Sequence, residues 1–118
     1  MYTFTDDEFE QVVADAIDSI PERFLDQLDN LSFMIEDEPA EDEDPDLLGV
    51  YDGIDMSERA EGYGFFEMPD TITIFKGPHE RLEGSRADIV EEVRRTVVHE
   101  VGHYFGMDED QIERMGYQ

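Results

Sequence analysis

Two histidines and a glutamate near the carboxyl-terminal end of the chain have the residue types and the spacing of a metal site. Residues 99–109 read H-E-V-G-H-Y-F-G-M-D-E, which has the form H-E-x-x-H-x-x-G-x-x-E. Residues four positions apart lie on one face of a helix, one turn from each other. His99 and His103 could therefore bind one metal ion, with Glu100 beside it as a general base. The chain has three histidines, so two of them lie in this motif.

A glycine and several carboxylates follow the second histidine. Gly106 has no Cβ, so it can adopt a positive φ and turn the chain sharply at the end of a helix. The segment after this turn could then return toward the two histidines. Glu109 is where a third ligand is expected at this spacing, and Asp110 and Glu113 are nearby alternatives that the sequence does not separate.

Two neutral imidazoles, one carboxylate and one position open to water form the donor set of a catalytic zinc site. We therefore predict one Zn²⁺ per chain. Zinc lowers the pKa of its bound water to about 7 and polarises a carbonyl group. Glu100 would take the proton of this water and return it to a leaving amine. The sequence does not identify the group that stabilises the oxyanion, for which the candidates are Tyr51, Tyr63, Arg94, Arg95 and Tyr104.

Other interpretations of the motif are a non-catalytic metal-binding module and two buried core histidines. H-E-x-x-H defines only three residues and occurs by chance in ordinary helices. A further alternative is an acidic protein-interaction module in which the motif is incidental. The third histidine, His79 in Gly77-Pro78-His79-Glu80, is expected in a surface loop.

Composition limits the classes of partner and compartment. The chain has 118 residues, which predicts a single domain over residues 1–118. The net charge is −25, so we expect no nucleic-acid binding and a cationic substrate if charge contributes to recognition. No cysteine is present, which excludes disulfides and cysteine-based zinc sites. Because we see neither a secretory signal nor an apolar run of about 18 residues, we expect a cytoplasmic protein without membrane association. We also expect a monomer.

Helical spacing of apolar residues predicts most of the secondary structure around the motif. Helices are predicted over residues 6–19, with Thr5 and Glu8 as a capping box, and briefly after Pro21. A long helix over residues 86–105 carries the histidines, and its apolar stripe, on a different side, is Val90, Val93, Val97 and Val101. Gly102 inside this helix costs about 1 kcal/mol relative to Ala, which a close approach of another element or of a substrate would offset. Asp108 and Gln111 predict a capped last helix through Met115.

Three short strands and two loops are predicted between these helices. The strands are residues 31–35, 47–51 and 71–76, and the first is mostly apolar and therefore expected to be buried on both faces. Gly77-Pro78 should end the third strand. Residues 36–46 hold eight acidic residues and predict an exposed loop. A second loop, residues 52–70, contains Tyr63, Phe65 and Phe66 and should pack over the core or over the site.

The motif and its surroundings resemble the minimal zincin-like metallopeptidases, a family of small bacterial proteins long catalogued as a domain of unknown function. The similarity extends beyond His99-Glu100-x-x-His103-x-x-Gly106 to nearly the whole chain. It includes the segments Phe33-Met34-Ile35-Glu36-Asp37-Glu38-Pro39, Leu48-Gly49-Val50-Tyr51-Asp52-Gly53, Ile72-Thr73-Ile74-Phe75-Lys76-Gly77-Pro78 and Gly106-Met107-Asp108-Glu109-Asp110.

The resemblance implies a minimal α+β zincin-like fold, in which a small mixed sheet packs on an N-terminal helix and on the long H-E-x-x-H helix. It also implies a zinc-dependent peptidase with His99 and His103 as ligands, Glu100 as base and an acidic residue after Gly106 as third ligand. Glu109 stands where metzincins have a third histidine. The resemblance implies a peptide or protein substrate that binds along an edge strand, either residues 71–76 or 47–51.

Overall fold

The computed structural model describes residues 2–53 and 70–116, so Tyr63, Phe65 and Phe66 lie outside the described residues. The described elements are α1 (Asp6–Asp18), α2 (Glu22–Leu25), β1 (Leu31–Glu36), β2 (Gly49–Asp52), β3 (Asp70–Phe75), α3 (Lys76–Glu80), α4 (Arg86–Tyr104) and α5 (Glu109–Gly116). This mixture of helices around a small sheet confirms the predicted α+β class. None of the described helices is long and apolar enough to cross a membrane.

The three strands form a mixed sheet in the order β1-β3-β2. β1 runs parallel to β3, with Leu31 opposite Asp70, and β2 runs antiparallel to it, with Gly49 opposite Ile74. β3 is therefore central, with a hydrogen-bonded neighbour on each side. The expectation that residues 71–76 could be the edge strand for a peptide is wrong, because both of its edges are already paired.

Within residues 2–53 and 70–116, helices cover one face of the sheet and leave the other open. Along β1 half-buried and exposed residues alternate, and Met34 on the open face is 46% exposed. The prediction that this strand is buried on both faces is therefore wrong. A mostly apolar strand suggested two covered faces, but the described helices pack on only one of them.

The core lies between the covered face of the sheet and the helices α1 and α4. Phe9 of α1, Ile72 and Ile74 of β3, and Val93 and Val97 of α4 have no exposed surface. Burying a side chain of this size stabilises the fold by about 1.5–3 kcal/mol before entropy is counted. Of the predicted stripe on α4, only Val90 remains partly exposed.

Reciprocal caps define where α1 and α4 begin. The Thr5 hydroxyl accepts a hydrogen bond from the Glu8 N–H, and the Glu8 carboxylate accepts one from the Thr5 N–H, as predicted. Ser85 and Asp88 form the same box at the start of α4. This second box was not predicted, although Ser-x-x-Asp is close to the known pattern.

His79 lies in the core, so the prediction of a surface loop is wrong. Gly77-Pro78 does not only end β3, because α3 begins directly after the strand and directs the imidazole inward. His79 is 0% exposed, its Nδ1 donates to the Phe75 carbonyl at 2.7 Å, and its Nε2 lies 2.9 Å from the Thr96 hydroxyl of α4. Burial lowers the pKa of His79, so its ring is neutral.

Candidate metal centre

The end of α4 brings the two histidines of the motif together. The ring centroids of His99 and His103 are 4.6 Å apart. Potential ligand atoms of His99, Glu100 and His103 all lie within 4.8 Å of one another. The His99 side chain is 39% exposed, and His103 is exposed. The predicted pair is therefore on the accessible side of the helix, while Val97 and Val101 of the same helix face the core.

Gly106 turns the chain at the end of α4, as its position in the motif predicts. Its φ is +71°, in the left-handed region that residues with a Cβ adopt at a cost. The Gly106 N–H donates to the His103 carbonyl and the Met107 N–H to the Gly102 carbonyl, both at 3.0 Å. These two bonds form a Schellman motif, which satisfies the last carbonyls of the helix and directs the chain back along it.

The missing side chain of Gly102 allows α5 to pack closely against α4. A Cβ placed on Gly102 would overlap the Ile112 side chain and would lie 2.7 Å from its Cδ1. Ile112 is itself buried, with 5% of its surface exposed. Of the two explanations offered for this helix-interior glycine, close approach of another element is therefore the one observed.

α5 begins beside the histidines, and its first residue contacts one of them. The Gln111 N–H donates to the Asp108 carboxylate and the Asp108 N–H to the Gln111 side chain, each at 2.9 Å, which is the predicted cap. The Glu109 Oε1 lies 3.5 Å from the His99 Nε2. Glu113, one turn further, lines the same cleft, whereas Asp110 is exposed and is not among the residues that line it.

Glu100 is held between the helix and strand β2. It is 9% exposed, and its carboxylate accepts a hydrogen bond from the Tyr51 backbone N–H. Burial raises the pKa of Glu100, while His103, His99 and this hydrogen bond act in the opposite direction. The contact with Tyr51 was not predicted, because almost any residue can donate through its backbone N–H and the residue type therefore does not indicate this contact.

Strand β2 is the sheet edge that lies against α4. A Cβ on Gly49 would be 2.7 Å from the Thr96 Cγ2, so the glycine allows this close approach. The Phe75 N–H donates to the Leu48 carbonyl at 3.0 Å. Because hydrogen-bonded and non-hydrogen-bonded pairs alternate in an antiparallel ladder, the backbone groups of Gly49 and Tyr51 point away from β3.

Two of the tyrosines suggested as oxyanion donors have hydroxyls that are hydrogen-bonded elsewhere. Tyr104 is 1% exposed. Its hydroxyl donates to the Asp29 carbonyl at 2.9 Å and accepts a hydrogen bond from the Asp29 N–H. Tyr104 therefore anchors the chain before β1 and does not face the histidines' open side. The Tyr51 hydroxyl donates to the Asp70 carboxylate at 2.7 Å. Tyr63 lies outside the described residues.

The two arginines among these candidates line an open cleft beside His99. The cleft has a volume of about 250 Å³ and lies between α4 and α5, with Arg94 and Arg95 on the first helix and Glu109 on the second. Arg94 also forms a bidentate ion pair with Glu91 along its own helix.

The donors suit zinc in type, and the distance between His99 and Glu109 suits it as well. Two imidazoles and a carboxylate are the protein ligands of many catalytic zinc sites. Donors at about 2.1 Å from a tetrahedral zinc ion lie about 3.4 Å from each other. The observed 3.5 Å between His99 and Glu109 is close to this separation.

Comparison with known proteins identifies the family of the chain. A family model described as zincin-like metallopeptidase matches residues 28–117, which include all the strands, the long helix α4 and the last helix. No curated protein matches the chain. The match covers well over half of the chain and contains both histidines and Glu100. The chain belongs to the zincin-like metallopeptidase family.

Proposed function

We propose that the protein is a zinc-dependent peptidase in which His99, His103 and Glu109 hold the metal. The contact between the Glu109 Oε1 and the His99 Nε2 at 3.5 Å supports this proposal most directly. It connects two separate helices at the accessible end of the motif. Membership in the zincin-like metallopeptidase family supports the same assignment.

A zinc ion in such a site lowers the pKa of water and polarises the carbonyl group of the bond to be cleaved. Glu100 then takes a proton from the attacking water at its carboxylate and gives that proton to the leaving amine. Burial raises the pKa of Glu100, which brings the carboxylate closer to the range in which it can both accept and release a proton. The Tyr51 N–H holds the carboxylate in position.

We propose that the peptide binds along the edge of β2 that faces away from β3, as an added strand. The Gly49 backbone groups and the Tyr51 carbonyl point away from β3, while the Tyr51 N–H is bound to Glu100, and β2 packs against α4 one turn before the motif. An extended peptide recognises such an edge through main-chain hydrogen bonds. Of the two strands named from the sequence, residues 47–51 overlap β2, whereas residues 71–76 correspond to the central strand.

The charge of the chain suggests which peptides reach the site. A net charge of −25 attracts cationic peptides and repels anionic surfaces, so we propose a peptide or protein substrate that is cationic overall. A panel of neutral and basic peptides at low salt tests this proposal, since basic ones should be cleaved faster. The single domain, the monomeric state and the cytoplasmic location stay predictions.

The decisive experiment separates zinc binding from hydrolysis. The purified protein should take up one zinc ion per chain, measured by elemental analysis. Glu100→Gln should retain this zinc and lose at least about 100-fold in peptide cleavage, the usual contribution of a general base. Glu83→Gln, an exposed change of the same type outside the cleft, is the control. Zinc uptake without any hydrolysis by the wild-type protein would favour the non-catalytic metal-binding module instead.

The third ligand can be tested by neutralising each carboxylate in turn. Glu109→Gln should lower zinc affinity by at least about tenfold, because a neutral amide is a poorer ligand than a carboxylate. Asp110→Asn changes the next residue in the same way and should leave the affinity within about twofold. The assignment of Glu109 fails if Asp110→Asn or Glu113→Gln has the larger effect in a competitive chelator titration.

A further inference from the structure

The cleft beside His99 differs in charge from the rest of the molecule. The chain has only eight Lys and Arg residues against 33 acidic ones, yet Arg94 and Arg95 both line this cleft. Val98 and Ile112 form its apolar floor, and His99 lies at its end. Two guanidinium groups are therefore placed next to the proposed metal site of a strongly acidic protein.

Arg95 is aligned with the two histidines along α4. Arg95, His99 and His103 follow one another at intervals of four residues, so they lie on one face of the helix. The Arg95 side chain is 58% exposed, and its Nε lies 3.7 Å from Glu91 and 4.0 Å from Glu92. These contacts run along the helix surface and leave the guanidinium accessible from the cleft.

Arg94 is held more firmly than Arg95. Its Nε and Nη2 donate to the two Glu91 carboxylate oxygens at 3.0 and 2.8 Å. This bidentate pair holds Arg94 in place in the cleft wall. The Arg95 side chain is 58% exposed, against 19% for Arg94, so it is the more accessible of the two.

We propose that Arg95, assisted by Arg94, binds a carboxylate of the substrate at the residue that follows the cleaved bond. This proposal rests on the peptidase function proposed above. Arginine recognises a carboxylate through charge-assisted, bidentate hydrogen bonds. Glu109 and Glu113 lie on the opposite wall, and Glu91 and Glu92 contact the arginines along α4, so the net charge of the cleft does not select a carboxylate. Recognition would come from directed hydrogen bonds of the guanidinium.

The spacing suits a carboxylate close to the cleaved bond. One residue of extended peptide spans about 3.5 Å, and a charge-assisted hydrogen bond adds about 2.8 Å. Arg95 precedes His99 by four residues, about 6 Å along the helix axis. The ligand would be the terminal carboxylate of the peptide or an acidic side chain at that position. A peptide that is basic overall would be attracted to the acidic surface of the protein, and its free terminal carboxylate could still bind Arg95 in this cleft.

Binding to the zinc-loaded Glu100→Gln variant tests the proposal without turnover. Three short fluorescein-labelled peptides, each containing one lysine, would be compared by anisotropy. The first ends in alanine with a free carboxylate, the second is its amide, and the third is an amide that ends in glutamate. The free acid should bind about tenfold more tightly than its amide, the size of one charge-assisted hydrogen bond. The third peptide tells whether a side-chain carboxylate serves as well.

Two arginine variants show whether the preference belongs to the cleft. In the Glu100→Gln background, Arg95→Gln should abolish the difference between acid and amide. Arg86→Gln makes the same change of charge at the start of α4, outside the cleft, and should preserve it. Circular dichroism confirms that both variants fold. Equal binding of acid and amide, no binding of the acid at millimolar concentration, or an equal loss with Arg86→Gln overturns the proposal.

Cleavage by the protein with Glu100 intact separates this proposal from the peptidase assignment. The acid should be preferred to the amide mainly through a lower KM, and Arg95→Gln should remove that advantage. Cleavage of both peptides at equal efficiency overturns carboxylate recognition and leaves the peptidase assignment intact. A preference for binding the acid without any cleavage supports carboxylate recognition and overturns the peptidase assignment.

Discussion

Replacing Gly102 by alanine should weaken zinc binding although Gly102 is not a ligand. A Cβ at this position would lie 2.7 Å from the Ile112 Cδ1, whereas ordinary contacts begin at 3.4 Å. The overlap with the Ile112 Cγ1 is closer still, and this atom is not at the flexible end of the side chain. Ile112 and the start of α5 would therefore have to move by more than 0.7 Å. Glu109 is the first residue of α5 and lies 3.5 Å from His99, so the displacement reaches the proposed third ligand.

The expected magnitudes follow from two opposing effects on stability and one on metal binding. Alanine improves helix propensity by about 1 kcal/mol. Overpacking a core contact costs about 1–3 kcal/mol. The free energy of unfolding should therefore stay the same or fall by up to about 2 kcal/mol. Metal–ligand distances tolerate about 0.2 Å, so a larger shift of Glu109 should lower zinc affinity by about 10- to 100-fold.

A double-mutant cycle with Ile112→Ala isolates the packing effect. Removing the Ile112 side chain beyond Cβ should make room, so adding Gly102→Ala to that variant should be neutral or stabilising by about 1 kcal/mol. Urea denaturation of the metal-free proteins and competitive chelator titrations provide the two readouts. The reasoning is refuted if Gly102→Ala alone stabilises the protein and leaves zinc affinity unchanged.

Two further predictions concern the core beneath the site. Burial lowers the pKa of His79 in the folded protein below 6.5, so the unfolded chain binds the proton more readily. The stability present above pH 6.5 is therefore lost as the pH falls, by at most about 1.4 kcal/mol per pH unit. His79→Gln should flatten this pH dependence in the metal-free protein. An unchanged urea-denaturation series would contradict this. Tyr104→Phe should cost about 1–3 kcal/mol in urea denaturation, because it leaves the Asp29 backbone groups without their partner, and it should not alter zinc affinity.

Local sequence patterns predicted the parts of the site that depend on neighbours along the chain. Thr5 with Glu8 and Asp108 with Gln111 form the expected caps, because each pair is three residues apart. Gly106 adopts the positive φ that its place after the histidines requires. Short-range hydrogen bonding and sterics determine these features, so they are visible in residue type and spacing.

Contacts between distant segments were not predictable in this way. Gly77-Pro78 suggested a turn, and the sequence contained no indication that α3 would direct His79 against Thr96 of α4. The mostly apolar residues 31–35 suggested a strand covered on both faces. β1 instead lies at the edge of a sheet with the described helices on one side, which leaves Met34 exposed. Both errors concern which surfaces meet, which short-range patterns do not specify.

The chemistry of the site was already determined by residue type and spacing, whereas its completion depended on the tertiary structure. A helix places His99 and His103 on one face wherever it lies, because its period is about 3.6 residues. Which of Glu109, Asp110 and Glu113 approaches them depends on how α5 packs against Gly102. The contact of Tyr51 with Glu100, and the choice of β2 as the edge beside the site, depend on sheet order. Sheet order is set by burial of whole faces, and a linear pattern does not record it.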